Sequence, residues 1–422
     1  MHHFHYLKGE LYCENVPVAQ IAEAVGTPFY LYSHATLAHH FRTFDAAFAG
    51  FPHLVCFAVK ANGNLAILRL FAQMGGGADI VSGGELFRAL KAGVDPQKIV
   101  YSGVGKSFRE IRQALRAGIL MFNIESSQEL EEISRIAREM KRTAPVALRI
   151  NPDIDPQTHP YISTGLKKNK FGINLDRALL DYERARSLPR VEVVGVACHI
   201  GSQITELSPF LEAVQRLREL VEELARRGIR IRYLDLGGGL GITYNQETPP
   251  HPKEYAQALI NELRGLEVTL VLEPGRVLVG NAGILVTRVC YTKDTEAKHF
   301  IVVDAGMNDL ARPSLYGSYH ALWPVVEASR PEITASLVGP ICESGDFLAK
   351  DRPMPAFKPG ELVAVMSAGA YGFSMSSNYN ARPRVAEILV KDDAFYVIRK
   401  RETYARLIQG ERIPEFLWGP GT

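Results

Sequence analysis

The chain has 422 residues, of which 46% are hydrophobic and 22% charged. That is ordinary globular composition and excludes a disordered chain, collagen and a coiled coil. Lys plus Arg number 48 against 46 Asp plus Glu, a net charge of +2, which gives no sign of a nucleic-acid or membrane-surface binder. The length suits either two ordinary domains or one barrel of about 250 residues with a smaller companion.

The first thirty residues hold a short strand-like start and one helix, Pro17–Val25, with Gly26 at its expected end and Pro28 beyond it. No basic region precedes an apolar run near Met1, so no signal peptide is expected, and His2, His3 and His5 read as a solvated terminus. No run approaches the ~18 apolar residues of a membrane span.

From residue 54 short apolar runs alternate with helix-like stretches. The runs are Leu54–Val59, Ala78–Val81, Ile99–Ser102, Met121–Glu125, Val146–Asn151, Val194–Ile200, Tyr233–Leu236 and Val268–Leu272. They are rich in β-branched residues and do not alternate polar with apolar, as strands buried on both faces do not. Between them, Gln128–Arg142 and Phe210–Arg227 carry apolar stripes at helical spacing. Alternating strands and helices demand a parallel sheet, either closed or doubly wound. Polar residues cluster where each run ends, at Lys60, Asp79, Ser102, Glu125, Asn151, His199, Gly237 and Glu273. A barrel spreads its site over all its strand ends, whereas an open sheet concentrates it at one switch point. The expected fold class is therefore α/β, a (β/α)₈ TIM-type barrel. After residue 283 the texture changes to strand-like runs: Ile284–Tyr291, His299–Asp304, Glu361–Ser367, Val385–Lys391 and Ala394–Lys400. These read as a separate β domain.

The five cysteines (Cys13, Cys56, Cys198, Cys290 and Cys342) are scattered, odd in number and never spaced Cys-x-x-Cys. A disulfide framework and a structural zinc site are not expected, nor is any other metal, and the compartment reads as a reducing cytoplasm.

Several familiar motifs fail. Gly237-Gly238-Gly239-Leu240-Gly241 lacks the last glycine of a dinucleotide fingerprint, since Ile242 stands there. Gly105-Lys106-Ser107 lacks the first glycine of a P-loop, since Val100 stands there. The glycine run remains either a plain tight turn or a cradle for an anion. Lys60 ends the strand Phe57-Ala58-Val59-Lys60. Alone, it either snorkels to solvent or is a desolvated amine made nucleophilic by losing its charge. Glu273-Pro274-Gly275-Arg276 ends the eighth run; singly, its carboxylate is either structural or able to hold a proton on a heteroaromatic nitrogen, and Gly275 and Arg276 are either structural or able to bind a phosphate. His199, in His199-Ile200-Gly201-Ser202-Gln203, suits stacking on a ring. An imine lysine, a ring-nitrogen carboxylate, a stacking histidine and a glycine-lined phosphate cup form the set that pyridoxal phosphate needs. In the β domain stand Arg312-Pro313-Ser314-Leu315-Tyr316, Cys342-Glu343-Ser344-Gly345-Asp346 and Gly369-Ala370-Tyr371-Gly372. By itself Cys342 is either a small buried hydrophobe or a proton donor beside acidic residues.

Over nearly its whole length the sequence resembles the diaminopimelate decarboxylases, of the alanine racemase-like (fold type III) pyridoxal phosphate enzymes. The resemblance rests on seven motifs in the family's order: Phe57–Asn62, His199–Gln203, Gly237–Gly241, Glu273–Arg276, Arg312–Tyr316, Cys342–Asp346 and Ala370–Gly372. It implies a barrel over residues 31–282 and a β-sandwich or β-barrel domain from 1–30 and 283–422. It further implies a homodimer with shared sites and the conversion of meso-diaminopimelate to L-lysine and CO₂, the last step of lysine biosynthesis. Residue by residue, it makes Lys60 the cofactor lysine, with Asp79, Glu85 and Arg149 supporting it. His199 would stack on the ring, Ser202 and Gly237, Gly238 and Gly239 would line the phosphate, and Glu273 would pair with the ring nitrogen. Gly275 and Arg276 would contact phosphate and substrate. Arg312, Tyr316, Glu343 and Tyr371 would hold substrate, Tyr371 also reaching the phosphate. Cys342 and Glu343 would enter from the partner subunit, with Cys342 or Lys60 returning a proton.

Charge separates the competing readings. The substrate's distal end needs a cation for its carboxylate, offered by Arg312 and Arg276, and an anion for its ammonium, offered by Glu343. A decarboxylase of ornithine, arginine or a carboxylated polyamine has less use for Arg312. A racemase of this fold group typically places an arginine, not a glutamate, at the ring nitrogen. A non-catalytic binder has no need of Lys60, Glu273 and Cys342 together.

Overall fold

A computed structural model describes residues 2–155 and 170–418. The eight apolar runs form eight parallel strands: His53–Ala58, Gly77–Ile80, Ile99–Tyr101, Met121–Ile124, Ala144–Asn151, Val191–Ala197, Tyr233–Asp235 and Thr269–Leu272. Each pairs with its neighbour in sequence, and the last returns to the first through Leu270–His53, Val271–Leu54 and Leu272–Val55, so the sheet is a closed barrel. A two-residue strand, Ile173–Asn174, adds to the fifth strand outside the ring. Both faces of these strands are largely buried, which is why most of their residues are apolar in continuous runs rather than at alternate positions.

The helices between strands begin where short polar side chains accept otherwise unpaired amides. Ser82, Ser107 and Ser126 accept from the amides of Glu85, Glu110 and Glu129, and Glu110 completes a capping box. Gly93 and Gly118 end two of them in the left-handed conformation. After the eighth strand only a four-residue helix, Arg276–Val279, follows. The helix His34–Ala47, which precedes the first strand, packs against Pro252–Glu262 on one side and Leu65–Gln73 on the other. It takes the place of the missing eighth outer helix.

The second unit is a sheet assembled from both ends of the chain. Phe29–Ser33 lies between Gly283–Asp294, antiparallel through Leu285–Tyr30, and Ala386–Lys391, parallel through Ile388–Leu31. This strand straddles the boundary expected at residues 30 and 31, because its wholly buried FYLYS stretch completes the sheet before the chain turns into the barrel's outer helix. The strands Glu332–Val338 and Phe347–Pro355 were not expected. The second carries Lys350, Asp351, Arg352, Pro353 and Pro355 and occupies a sheet edge, where charges and prolines are tolerated. A three-stranded N-terminal sheet, Phe4–Leu7, Glu10–Cys13 and Val16–Pro17, packs on this unit with Leu11, Val18 and Ile21 against Ile284, Val286 and Ile388. Among the described residues no helix is long and apolar enough to cross a membrane.

The two units meet over the C-terminal ends of the barrel strands. Asn62 Nδ2 donates to the Gly369 carbonyl at 3.1 Å, the Tyr371 amide donates to the Ala61 carbonyl at 2.8 Å, and Asn64 Nδ2 donates to Glu387 Oε2 at 2.9 Å. Gly369 lies so close to the chain leaving the barrel that a methyl group there would overlap the Val279 carbonyl oxygen. Gly369→Ala is therefore expected to destabilise the protein by about 3 kcal/mol, the upper part of the overpacking range. Chemical denaturation of the variant against wild type checks this, and an unchanged midpoint would show that the seam can relax.

Candidate active site

Lys60 sits in the single turn that follows the first strand. Its ammonium lies 2.5 Å from Asp79 Oδ2, and Asp79 is wholly buried at the end of the second strand. The sequence left open a lysine that reaches solvent or an amine neutralised by desolvation. Burial does push Lys60 down, but Asp79 first and then Glu273 outweigh it, holding the amine above its ordinary range and charged. A ligand that takes over the carboxylates as a cation would release the amine from this hold.

Behind Lys60 the barrel mouth carries three buried carboxylates. Glu273 ends the eighth strand and Asp235 the seventh. Asn123, on the fourth strand, donates through Nδ2 to Asp235 Oδ2 at 2.8 Å and to Ser102 Oγ at 3.0 Å. Ser102 Oγ stands 3.3 Å from Glu273 Oε1. Burial raises Asp235 from 3.8 to about 6, against bonds from the Gly237 amide and Asn123 that lower it. Burial, then the charges of Asp235 and Asp79, raise Glu273 well above the usual carboxylate range, with Lys60 pulling it back.

His199 faces this group from beyond the sixth strand. The Gly238 amide donates to its Nδ1 at 3.2 Å. Burial, with Arg149 and Lys60 next, holds the imidazole well below its ordinary pKa, so it is neutral with its proton on Nε2. Arg149 pairs with Glu125 at 2.8 Å and faces the Phe171 ring at 4.8 Å. A pocket of about 170 Å³ runs between Lys60, Ser102, Asn123, Arg149, His199 and Glu273.

The glycine run divides its work. The Gly237 amide donates to Asp235 Oδ1 at 2.9 Å and the Gly238 amide to His199, while Gly239 lines a small cup with Ser202, Gly275, Arg276 and Tyr371. Sequence reasoning placed all three glycines on one anion; in the structure, two of the amides orient a carboxylate and an imidazole. The run must be glycine because Gly237 and Gly239 have φ of +66° and +119°, and a Cβ on either would stand 2.7 Å from a backbone carbonyl oxygen. Arg276 donates from Nη2 to Ser202 Oγ at 2.9 Å and from Nη1 to Tyr244 OH at 2.7 Å.

Beyond the cup opens a cavity of about 440 Å³ whose lining includes Lys60, His199, Arg276, Arg312, Tyr316 and Tyr371. Tyr371 adopts a left-handed φ of +56° to reach it. Glu85 lies elsewhere, in a second cavity on the far side of Lys60 and Tyr371. It accepts from the Val81 amide at 2.7 Å, and burial raises it to about 7. Cys342 and Glu343 do not line the cavity of their own chain. Both are exposed on a loop whose Asp346 accepts from the amides of Met307 and Ile341, and whose Cys342 amide donates to Asn380 Oδ1 at 2.7 Å. Sequence reasoning missed Asp235, Asn123, Tyr244 and His320. The signal for the first two was present, as a charged and an amide residue inside strands otherwise apolar.

The pyridoxal phosphate suggested by the motifs can be tested against this geometry. Asp79 Oδ1, Asn123 Oδ1 and Arg276 Nε are buried with no hydrogen-bond partner among the described residues, a costly arrangement in a closed protein. Excess negative charge surrounds the ring-sized pocket, and a guanidinium with hydroxyl and backbone groups surrounds the cup. A group with a protonated ring at one end and a phosphate at the other fits both.

The family model described as the pyridoxal-dependent decarboxylase, pyridoxal binding domain matches residues 34–280. The chain belongs to that class of enzyme, the pyridoxal phosphate-dependent decarboxylases. It is 55% identical to a diaminopimelate decarboxylase of Pseudomonas aeruginosa, covering 97% of this chain and 99% of that one, and 51% identical to one of Vibrio cholerae, covering 96% and 98%. The solved diaminopimelate decarboxylase of Helicobacter pylori in complex with L-lysine superposes with a TM-score of 0.90 at 45% identity, over 93% of this chain and 98% of that one. Within its class the chain is a member of the diaminopimelate decarboxylase family. A lysine/ornithine decarboxylase of Vibrio vulnificus, at 22% identity and a TM-score of 0.78 over 89% of this chain and 97% of that one, shares the fold.

The raised carboxylates have a consequence for the cofactor-free protein. A carboxyl whose folded pKa lies above its unfolded value stabilises the fold below the unfolded value and loses that contribution as pH rises through the folded one. In the cofactor-free protein the share of stability due to Asp235 should therefore fall as pH rises from about 3.8 through about 6, against the opposite trend from the buried neutral His199 and His320. Asp235→Asn should flatten the fall. Melting temperatures across that range check it, and a rise in stability with pH that Asp235→Asn leaves unchanged would contradict it.

Proposed function

We propose that the chain decarboxylates meso-diaminopimelate to L-lysine, and that it does so as a homodimer in which each site is completed by the other copy. One observation carries the substrate assignment. Arg312 is buried at the cavity, yet among the described residues it makes no ion pair. Burying a guanidinium without a carboxylate is unfavourable by several kcal/mol unless a ligand supplies one. The distal carboxylate of diaminopimelate supplies it; ornithine has none.

When bound, pyridoxal phosphate supplies the conjugated electron sink for the electron pair left when the carbon–carbon bond to CO₂ breaks. Lys60 would hold it covalently, with Asp79 orienting the amine. Glu273, its carboxyl group tuned by Asp235 and Asn123, would keep a proton at the ring nitrogen. His199, neutral and fixed by the Gly238 amide, would cover the ring face without adding a competing charge. Arg276, Ser202, Gly239, Gly275 and Tyr371 would hold the phosphate, with Arg276 and Tyr371 also near substrate. Arg312 and Tyr316 would hold the substrate's distal end. Their position in the second unit sets the distance between reacting carbon and distal carboxylate. Cys342 or Lys60 would return the proton to the carbon that lost CO₂.

Support for the shared site comes from the loop 339–346. It is tied down by Asp346 and Asn380, but presents Cys342 and Glu343 away from its own cavity. A partner's Glu343 would then meet the substrate's distal ammonium. The described cysteines are all free, and an exposed catalytic thiol suits a reducing cytoplasm.

Purified protein is expected to release CO₂ and lysine from meso-diaminopimelate, and to act on ornithine at least about 100-fold more slowly, as loss of a charge-assisted contact implies. Faster turnover of ornithine would remove the substrate assignment. Lys60→Ala and Cys342→Ala proteins, each nearly inactive, should regain up to about a quarter of wild-type activity when mixed, since one site of each hybrid is intact. No recovery despite demonstrated subunit exchange would remove the shared site.

A further inference from the structure

Arg312 opens the five-residue helix Arg312–Tyr316. Another buried arginine at the barrel mouth, Arg149, is held by a carboxylate, Glu125. Arg312 is held differently. Its Nη1 lies 3.0 Å from Nε2 of His320, and the Nδ1 of that histidine lies 2.8 Å from the Met366 carbonyl oxygen. A carbonyl can only accept, so Nδ1 carries the proton and Nε2 turns its lone pair to the guanidinium. His320 is wholly buried, and burial followed by the charge of Arg312 pushes its imidazole down to about 3, so it stays neutral. The Tyr244 ring faces the Arg312 guanidinium at 4.7 Å and meets the His320 ring edge-on at 5.4 Å. Arg352 donates to the His320 backbone carbonyl and fixes the loop that carries it.

We propose that His320 is a positioning residue for substrate specificity, a neutral acceptor that aims Arg312 at the substrate's distal carboxylate while leaving its charge uncancelled. A carboxylate in this place would orient the guanidinium equally well. It would also neutralise it and repel the arriving carboxylate. A purely apolar neighbour would preserve the charge but leave a long side chain free to turn. The imidazole, with one nitrogen anchored to Met366 and the other aimed at Arg312, meets both requirements. The aromatic face of Tyr244 supports the cation in the same way, by attraction without neutralisation. The proposal rests on the reading that Arg312 binds the distal carboxylate.

The test measures KM and kcat for meso-diaminopimelate in the holoenzyme for Arg312→Met, His320→Leu, His320→Gln and His320→Asn. Arg312→Met should raise KM at least about 100-fold, and His320→Leu about 10- to 100-fold, the range for losing a hydrogen bond to a charged group. In His320→Leu, kcat and the cofactor's visible absorption should stay near wild type, because no group at the reacting carbon is disturbed. His320→Gln, whose side-chain oxygen reaches the place of Nε2, should keep KM within a few-fold of wild type. His320→Asn, too short to reach Arg312, should behave like His320→Leu, and the Gln–Asn pair carries the test if the leucine variant does not fold. Equal KM values for Gln and Asn, or an unchanged KM in His320→Leu while Arg312→Met is impaired, would overturn the proposal. An unchanged KM in Arg312→Met would overturn the reading of Arg312 itself.

Discussion

Three carboxylates, Asp79, Asp235 and Glu273, are buried at one end of the barrel with a single ammonium, Lys60, beside them. That imbalance is the constraint on which the site depends. Ionised carboxylates in so closed a place repel one another and lack water, and Asp235 and Glu273 hold their protons more tightly than usual. One more cation, a protonated ring nitrogen held at Glu273 as proposed, would relieve the cluster and loosen the hold of Asp79 on Lys60. The cluster would thus favour the form of the cofactor in which it withdraws electrons most strongly.

The opposite end of the same cavity reverses the sign. Among the described residues, Arg276 and Arg312 are buried there without a paired carboxylate, steadied by Tyr244, Tyr371, Ser202 and His320. A substrate with a carboxylate at its distal end would find in Arg312 the cation to receive it. The barrel supplies the acidic end, and the second unit, built from both chain ends, supplies Arg312. The seam between them, drawn tight at Gly369 and at Glu387, therefore sets a distance that matters to the chemistry.

Much of this was legible in the sequence. The eight runs could be read as barrel strands because burial on both faces leaves continuous apolar stretches, and their polar endings marked the mouth. Lys60, His199, Glu273 and Arg276, at or just beyond those endings, line one small cup. What escaped notice has physical reasons. Asp235 and Asn123 act from within strands, where an apolar pattern hides a single polar position. His320 lies in a loop, and its value comes from a tautomer fixed by Met366, forty-six residues away. The edge strand Phe347–Pro355 reads as loop because an edge accepts prolines and charges. The sequence left the charge state of Lys60 open because desolvation is a local property, whereas Asp79 and Glu273 reach it only through the fold.

The central claim is that the carboxylate cluster keeps the cofactor ring protonated. It is tested most directly by nitrogen NMR of the enzyme loaded with cofactor labelled at the ring nitrogen. The account predicts the chemical shift of a protonated pyridine in wild type throughout the neutral pH range, and that of an unprotonated one in Glu273→Gln. An unprotonated ring nitrogen in the wild-type enzyme would contradict it.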